Sequence, residues 1–109
     1  MSKYKNKKTV IDGITFDSKR EAERYLDLKT LEKAGVITEL ELQKKFELQP
    51  GFYFKGRRQR PIYYICDFFY KQGDEYIIED VKSPITKNNQ VYKMKKKMMM
   101  YKGYEVKEV

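Results

Sequence analysis

Histidine is absent from the 109 residues of this chain, and cysteine occurs once, as Cys66. Without histidine, catalysis by Ser-His or Cys-His pairs and zinc sites of the Cys/His kind are excluded. One cysteine cannot form a disulfide within the chain, and no apolar stretch approaches the length that spans a membrane. Any chemistry must therefore use carboxylates and lysine. We expect an intracellular, cytoplasmic protein with no membrane partner.

Positive charge is in excess, because 24 Lys and Arg stand against 16 Asp and Glu and leave a formal net charge of +8. This balance suits a polyanion such as nucleic acid, although a merely soluble basic surface has the same composition. The length predicts a single domain over residues 1–109, and the charged residues 1–8 are expected to be flexible.

Two stretches rich in aromatic and β-branched residues, 62–70 and 76–82, are predicted to be strands of a largely buried sheet. Each contains an acid where a core strand should be apolar. Because side chains alternate between the two faces of a strand, Asp80 and Lys82 share a face, and Asp67 lies among apolar side chains of its own strand. A buried charge needs an opposite charge or a metal ion. Glu79 replaces Asp80 in this arrangement if the strand contains a bulge, although alternation favours Asp80.

Turn and capping signals predict the remaining elements. Asp12-Gly13 indicates a tight hairpin, and the pattern from Ser18 to Glu21 indicates a capping box at the start of a helix. The predicted order is a hairpin of 9–11 and 14–16, a helix over 18–34, a strand within 36–49 that is most secure over 44–49, a basic loop at 55–60, strands at 61–70 and 75–82, a helix over 89–101 and a strand at 104–109. The three middle strands are expected to form an antiparallel meander, so the order after the hairpin is αβββαβ.

Helical periodicity predicts which side of each helix packs against the sheet. In the first helix, Glu21 points inward and Glu23 outward. The other inward residues are Ala22, Tyr25, Leu26, Leu28 and Leu31. In the second helix the predicted inward stripe is Val91, Met94, Met98 and Tyr101, which leaves Lys93, Lys96 and Lys97 largely on the other side.

The helix acid Glu21, the strand that carries Asp67, and Asp80-Val81-Lys82 together resemble the PD-(D/E)XK nuclease superfamily. The resemblance covers nearly the whole chain, and it is closest to a short, phage-encoded group similar to Holliday-junction resolvases. It implies an α/β (α+β) fold with a restriction-endonuclease-like αβββαβ core, in which a mixed sheet is flanked by helices. One departure is Cys66, which stands where the motif has proline.

The resemblance also implies the role of each site residue. Asp67 and Asp80 are expected to hold Mg²⁺ or Mn²⁺, and the backbone carbonyl of Val81 is a further ligand. Lys82 orients or polarises the attacking water, and Glu21 supports the metal or the water. The implied activity is metal-dependent hydrolysis of DNA, with branched or junction DNA as substrate, in phage recombination, replication or packaging in the cytoplasm of a bacterial host. Two symmetric cuts need two sites, so a homodimer is expected.

Several alternatives stay open at this point. Glu21 can serve the capping box alone, and Asp80 with Lys82 can be an ordinary ion pair on one face of a sheet. Six basic residues flank the expected site and can contact phosphates, but each is also compatible with a solvated face. These residues are Arg57, Arg58, Arg60, Lys93, Lys96 and Lys97. A non-catalytic nucleic-acid-binding module with a nuclease-like fold is the alternative function.

Overall fold

Residues 8–109 of the computed structural model form a mixed α+β structure. The helices are α1 (Lys19–Lys33), α2 (Pro84–Lys87) and α3 (Gln90–Tyr101). The strands are β1 (Thr9–Ile11), β2 (Ile14–Phe16), β3 (Thr38–Leu42), β4 (Lys45–Gln49), β5 (Phe52–Phe54), β6 (Arg57–Gln59), β7 (Ile62–Ile65), β8 (Phe68–Gln72), β9 (Glu75–Asp80) and β10 (Val106–Glu108). Within this described range, no helix has the length and apolar character needed to cross a membrane. The segment predicted to be flexible, residues 1–8, lies outside the described residues except for Lys8.

The central sheet has four strands in the order β10-β9-β8-β3. Strands β3, β8 and β9 are antiparallel neighbours, whereas β10 runs parallel to β9. The predicted hairpin at the start of the chain is formed by β1 and β2. The antiparallel meander, the final strand and the mixed character of the sheet were therefore correctly predicted from alternation and turn residues.

Two of the predicted strands are each broken into two, which corrects the predictions for 36–49 and 61–70. Gln43 has a positive φ of 56° and separates β3 from β4, and a bend at Asp67 separates β7 from β8. The two breaks lie beside each other on neighbouring strands, because the Gln43 N–H donates to the Asp67 carbonyl over 3.2 Å. Beyond the breaks β4 and β7 form an antiparallel pair of their own. Asp67 consequently lies at a bend, not inside a continuous strand as expected.

The predicted basic loop at 55–60 is largely a second hairpin, formed by β5 and β6. Lys55 and Gly56 have positive φ values of 50° and 78°, the backbone conformation of a two-residue hairpin turn. We call residues 52–59 the basic hairpin. It pairs with no third strand among the described residues.

The core is divided between the two faces of the sheet. Helix α1 covers one face with Ala22, Tyr25 and Leu28, against Phe68 and Tyr70 of β8. Helix α3 covers the other face, where Met99 packs with Ile78 and Cys66. Strand alternation assigns Glu79 to the α1 side and Asp80 to the α3 side.

The inward faces of the helices needed correction at specific residues. Leu26 of α1 was predicted to point inward but is exposed. Glu23 is exposed, as predicted. In α3 the predicted inward stripe is confirmed at Met98 and wrong at Val91, Met94 and Tyr101, which are exposed, Tyr101 to 94%. Met98 packs on the sheet together with Tyr92 and Met99. The helix has apolar residues on several sides, so its own pattern does not decide which side is buried.

A buried ion pair joins α1 to β9. Glu79 is fully buried, and its two carboxylate oxygens accept hydrogen bonds of 2.8 and 2.7 Å from Nε and Nη2 of Arg24. The Tyr70 hydroxyl donates to the same carboxylate. Burial alone raises the pKa of Glu79, but the Arg24 and Tyr70 hydrogen bonds outweigh it and leave the pKa below its ordinary value.

We predict that Glu79→Gln destabilises the fold, because it leaves Arg24 without its partner charge. Breaking a buried pair costs roughly 3 to 5 kcal/mol, and the partial exposure of Arg24 favours the lower end. Urea unfolding at pH 7 measures the loss, and Glu47→Gln on the exposed side of β4 is the matched control. Equal midpoints for the two variants would show that the Arg24 pair contributes nothing to the stability.

Candidate active site

The carboxylates of Asp67 and Asp80 accept backbone hydrogen bonds that join the bend between β7 and β8 to the end of β9. The Asp67 N–H donates to Oδ1 of Asp80 over 3.0 Å, and the Val81 N–H donates to Oδ2 of Asp67 over 2.8 Å. The Asp67 N–H also lies 3.1 Å from the carbonyl oxygen of Glu79. These reciprocal contacts fix the two carboxylates beside each other at the end of β9. We call Asp67 and Asp80 the carboxylate pair.

Only one of the two carboxylate oxygens of Asp80 accepts a hydrogen bond. Asp80 is 1% exposed, and its buried Oδ2 has no hydrogen-bond partner within residues 8–109. Burial raises the pKa of Asp80 to about 6, against the lowering effects of Lys82 and of the Asp67 N–H. A buried carboxylate oxygen without a donor is costly and needs an explanation, such as a cation that binds there.

Glu21 belongs to the same electrostatic group. It is half-buried, and burial, followed by the charge of Asp67, raises its pKa to about 7. Asp17 and Asp80 raise it further, and Lys82 lowers it. The Ser18 side chain accepts from the Glu21 N–H over 3.1 Å, which caps α1 through the backbone of Glu21 and not through its carboxylate. Capping therefore leaves the Glu21 carboxylate available to the site.

Lys82 follows β9 but does not form the simple ion pair that was an alternative. No described carboxylate lies within 4.0 Å of its ammonium group. Its Nζ lies 4.3 Å from the ring centre of Tyr92, and its charge lowers the pKa of Asp80. A cation held on an aromatic face near two acids remains able to contact a further ligand.

A second cluster next to the carboxylate pair was not predicted from the sequence. Glu108 is the β10 partner of Asp80 and accepts a 2.6 Å hydrogen bond from the Tyr92 hydroxyl. Lys96 lies 3.1 Å from the same carboxylate, and Lys87 lies 3.6 Å from it. Lys96 is therefore already neutralised, whereas it was predicted as a phosphate contact. The missed signal was the alternation of the last strand, which places Glu108 beside Asp80.

The other predicted phosphate contacts lie on two exposed surfaces. Arg57 and Arg58 belong to the basic hairpin and Arg60 follows it, all three exposed. Lys93 and Lys97 are exposed on α3. The structure thus brings Glu21, Asp67, Asp80 and Lys82 together and leaves these basic residues outside that cluster. Asp17, an acid just before the cap of α1, and the Arg24–Glu79 pair were also missed.

The residues present fit a hard divalent cation. Within residues 8–109, no three of the His, Cys, Asp and Glu side chains are placed so as to hold a metal ion together. Magnesium is commonly bound by only one or two carboxylates, with water and substrate phosphate completing its coordination. The carboxylate pair supplies two, and the unpartnered Oδ2 of Asp80 is an oxygen ligand that no protein donor uses. Glu79 does not fit, because Arg24 and Tyr70 occupy its carboxylate.

A family model described as "Protein of unknown function (DUF1064)" matches residues 1–109, so the chain belongs to this family. No curated protein and no solved structure matches the chain. The family description assigns no activity, and the function must be inferred from the geometry of the site.

We predict that Asp80→Asn raises the stability of the metal-free protein relative to wild type as the pH increases. A carboxyl whose pKa is raised by folding stabilises the fold below its unfolded pKa, and this contribution is lost as the pH rises through about 6. The variant should therefore gain about 1 kcal/mol on wild type between pH 5 and pH 8. Urea unfolding in chelator measures the gain.

The matched control is Asp74→Asn, an exposed acid in the turn between β8 and β9. It should show no such pH-dependent gain. A destabilisation of Asp80→Asn by several kcal/mol at both pH values would instead identify Asp80 as a structural anion that the fold needs.

Proposed function

We propose that this member of the DUF1064 family is a magnesium-dependent endonuclease of the PD-(D/E)XK type, which hydrolyses phosphodiester bonds in branched or junction DNA. The observation that carries the proposal is the carboxylate pair, in which Oδ2 of Asp80 is buried without a donor from the described residues. A nucleic-acid-binding module has no need to bury such a group. Phage recombination, replication or packaging is the setting that the resemblance suggests.

Two elements of the fold support this assignment. Leaving aside the hairpins, α2 and the short ladder of β4 and β7, the order α1, β3, β8, β9, α3, β10 is the αβββαβ order of the superfamily. The acids also follow the order that the resemblance implies, with Asp67 directly before one strand, Asp80 at the end of the next and Lys82 two residues beyond. A restriction-endonuclease-like core is thus part of the proposal.

The proposed mechanism gives each residue one role. Asp67 and Asp80 hold the ion, with the carbonyl of Val81 as a further oxygen ligand. When bound, Mg²⁺ or Mn²⁺ would offset the charge that develops on the phosphate and lower the pKa of a nearby water. Lys82 donates a hydrogen bond to the attacking water or to a phosphate oxygen. Glu21 accepts a hydrogen bond from that water and so orients it.

Substrate binding relies on the excess of basic residues. Arg57, Arg58 and Arg60 on one surface and Lys93 and Lys97 on another contact phosphates, and binding then weakens with salt because counterions are released. Lys96 is expected to contribute less, since Glu108 neutralises it. Two copies of the chain, as a homodimer, would cut the two strands of a junction symmetrically.

A non-catalytic nucleic-acid-binding module is the second candidate. It is favoured by one observation, that the described residues hold no group of three metal-binding side chains. Such a module would bind DNA through the same basic surfaces and would be indifferent to Asp80.

We predict that the purified protein cleaves a labelled four-way junction in Mg²⁺ and not in chelator. Asp80→Asn should abolish cleavage while DNA binding in chelator persists, because the variant loses a metal ligand and no phosphate contact. Asp74→Asn should cleave like wild type. A linear duplex and single strands, run in parallel, identify the preferred substrate.

The same assay separates the two roles of Glu21. Glu21→Gln keeps the backbone cap and should lower cleavage at least tenfold with little change in melting temperature, whereas Glu23→Gln on the exposed side of α1 should change neither. Absence of cleavage on every substrate, together with metal-independent junction binding, would favour the second candidate.

A further inference from the structure

The basic hairpin exposes three consecutive aromatic side chains. Phe52, Tyr53 and Phe54 are 44%, 69% and 58% exposed. Because side chains alternate along a strand, Phe52 and Phe54 share one face of the hairpin and Tyr53 lies on the other. Large aromatic residues are usually buried, and two exposed ones side by side indicate a surface that binds something. They are not needed for the core, because neither core cluster contains any of them.

The charges of the basic hairpin are all of one sign. From residue 48 to residue 66 the chain contains Lys55, Arg57, Arg58 and Arg60 and no acid. Cross-strand pairing places Phe54 opposite Arg57 and Tyr53 opposite Arg58. Paired residues of an antiparallel ladder share a face, so Arg57 lies on the face of Phe54, and Arg58 lies with Tyr53 on the opposite face. The Lys55 Nζ also lies 5.5 Å from the centre of the Phe54 ring.

We propose that the basic hairpin binds unpaired bases of nucleic acid by stacking them on Phe52 and Phe54, while its basic residues contact the adjoining phosphates. Aromatic rings stack on the π-face of any base, and basic residues follow the backbone. Bases inside a duplex are already stacked on each other, so the ligand must expose unpaired bases. The cationic charge of the hairpin argues for a polyanion over an apolar segment of a protein.

This inference deepens the proposed function and rests on it for its biological setting, since branched substrates with a single-stranded arm expose unpaired bases at the branch point. The hairpin would then place the branch relative to the cleaved bond. Binding of single strands does not require the carboxylate pair, so it can be measured separately from cleavage.

The test is binding of a labelled oligothymidine strand to the full chain in chelator, followed by fluorescence anisotropy. Loss of even one stacked base should weaken binding by the double variant Phe52→Ala with Phe54→Ala about 5- to 150-fold. Tyr101→Ala is the matched control, because Tyr101 is an exposed aromatic outside the hairpin. It should bind like wild type.

A second measurement uses the absence of tryptophan from the chain. Phe54→Trp introduces one fluorophore into the proposed stacking face of the hairpin, and Tyr101→Trp introduces one on α3. Stacking of a base on the hairpin should quench the fluorescence of the first variant and leave the second unchanged. This measurement does not depend on whether the double alanine variant folds normally.

Wild-type affinity in the double variant, or equal quenching at both tryptophan positions, would overturn the inference. The inference would also be overturned if the double variant lost self-association of the chain but kept its affinity for the strand. The hairpin would then bind another copy of the chain. Failure of the nuclease proposal has a different signature. The junction would stay intact in Mg²⁺ while Phe52→Ala with Phe54→Ala still lost affinity for the oligothymidine strand.

Discussion

Two adjacent acids, Glu79 and Asp80, are buried on opposite faces of the central sheet, and the structure depends on how each is accommodated. Glu79 receives a bidentate hydrogen bond from Arg24 and a further one from Tyr70, which ties α1 to the sheet. Among residues 8–109, the carboxylate of Asp80 accepts a hydrogen bond only from the Asp67 N–H, which ties the bend between β7 and β8 to the end of β9. One acid is therefore neutralised by Arg24, and the other keeps a carboxylate oxygen without a donor from the described residues.

This asymmetry distinguishes the acid that forms a structural ion pair from the acid proposed to bind the metal. The bidentate contact leaves the pKa of Glu79 below its ordinary value despite burial, whereas burial raises the pKa of Asp80 to about 6. Burial and neighbouring carboxylates also raise the pKa values of Glu21 and Asp67, and the charge of Lys82 lowers both. In the metal-free protein the carboxylates at the end of β9 thus oppose folding at neutral pH, which is the state that a bound divalent ion would relieve.

Local signals in the sequence were sufficient to predict much of the fold. Asp12-Gly13 predicted the first hairpin, Ser18 the start of α1, and alternation the antiparallel meander and the final strand. The breaks at Gln43 and Asp67 could not be predicted, because both depend on a contact between distant strands. The buried side of α3 depended on the sheet beneath it, which selected Tyr92 and Met99 from a helix with apolar residues on several sides.

Within the site, strand alternation predicted that Asp80 and Lys82 share a face, and helical periodicity predicted that Glu21 points inward. The partners of these groups were not predictable from local patterns. Arg24 reaches Glu79 across 55 positions, and Tyr92 reaches Glu108 across 16, so both pairings arise only from the tertiary structure. The exposure of the aromatic residues in the basic hairpin was likewise not predictable, because Phe52-Tyr53-Phe54 resembles an ordinary core strand.

The proposed divalent cation binds the carboxylate pair through Oδ2 of Asp80, which has no donor among the described residues. Calorimetric titration of Mn²⁺ into wild type and Asp80→Asn at pH 7.5, without DNA, tests this proposal. Saturable binding is expected for wild type and for Glu47→Gln, and Asp80→Asn should lose it. Equal binding by wild type and Asp80→Asn, or no binding by wild type, would contradict the proposal.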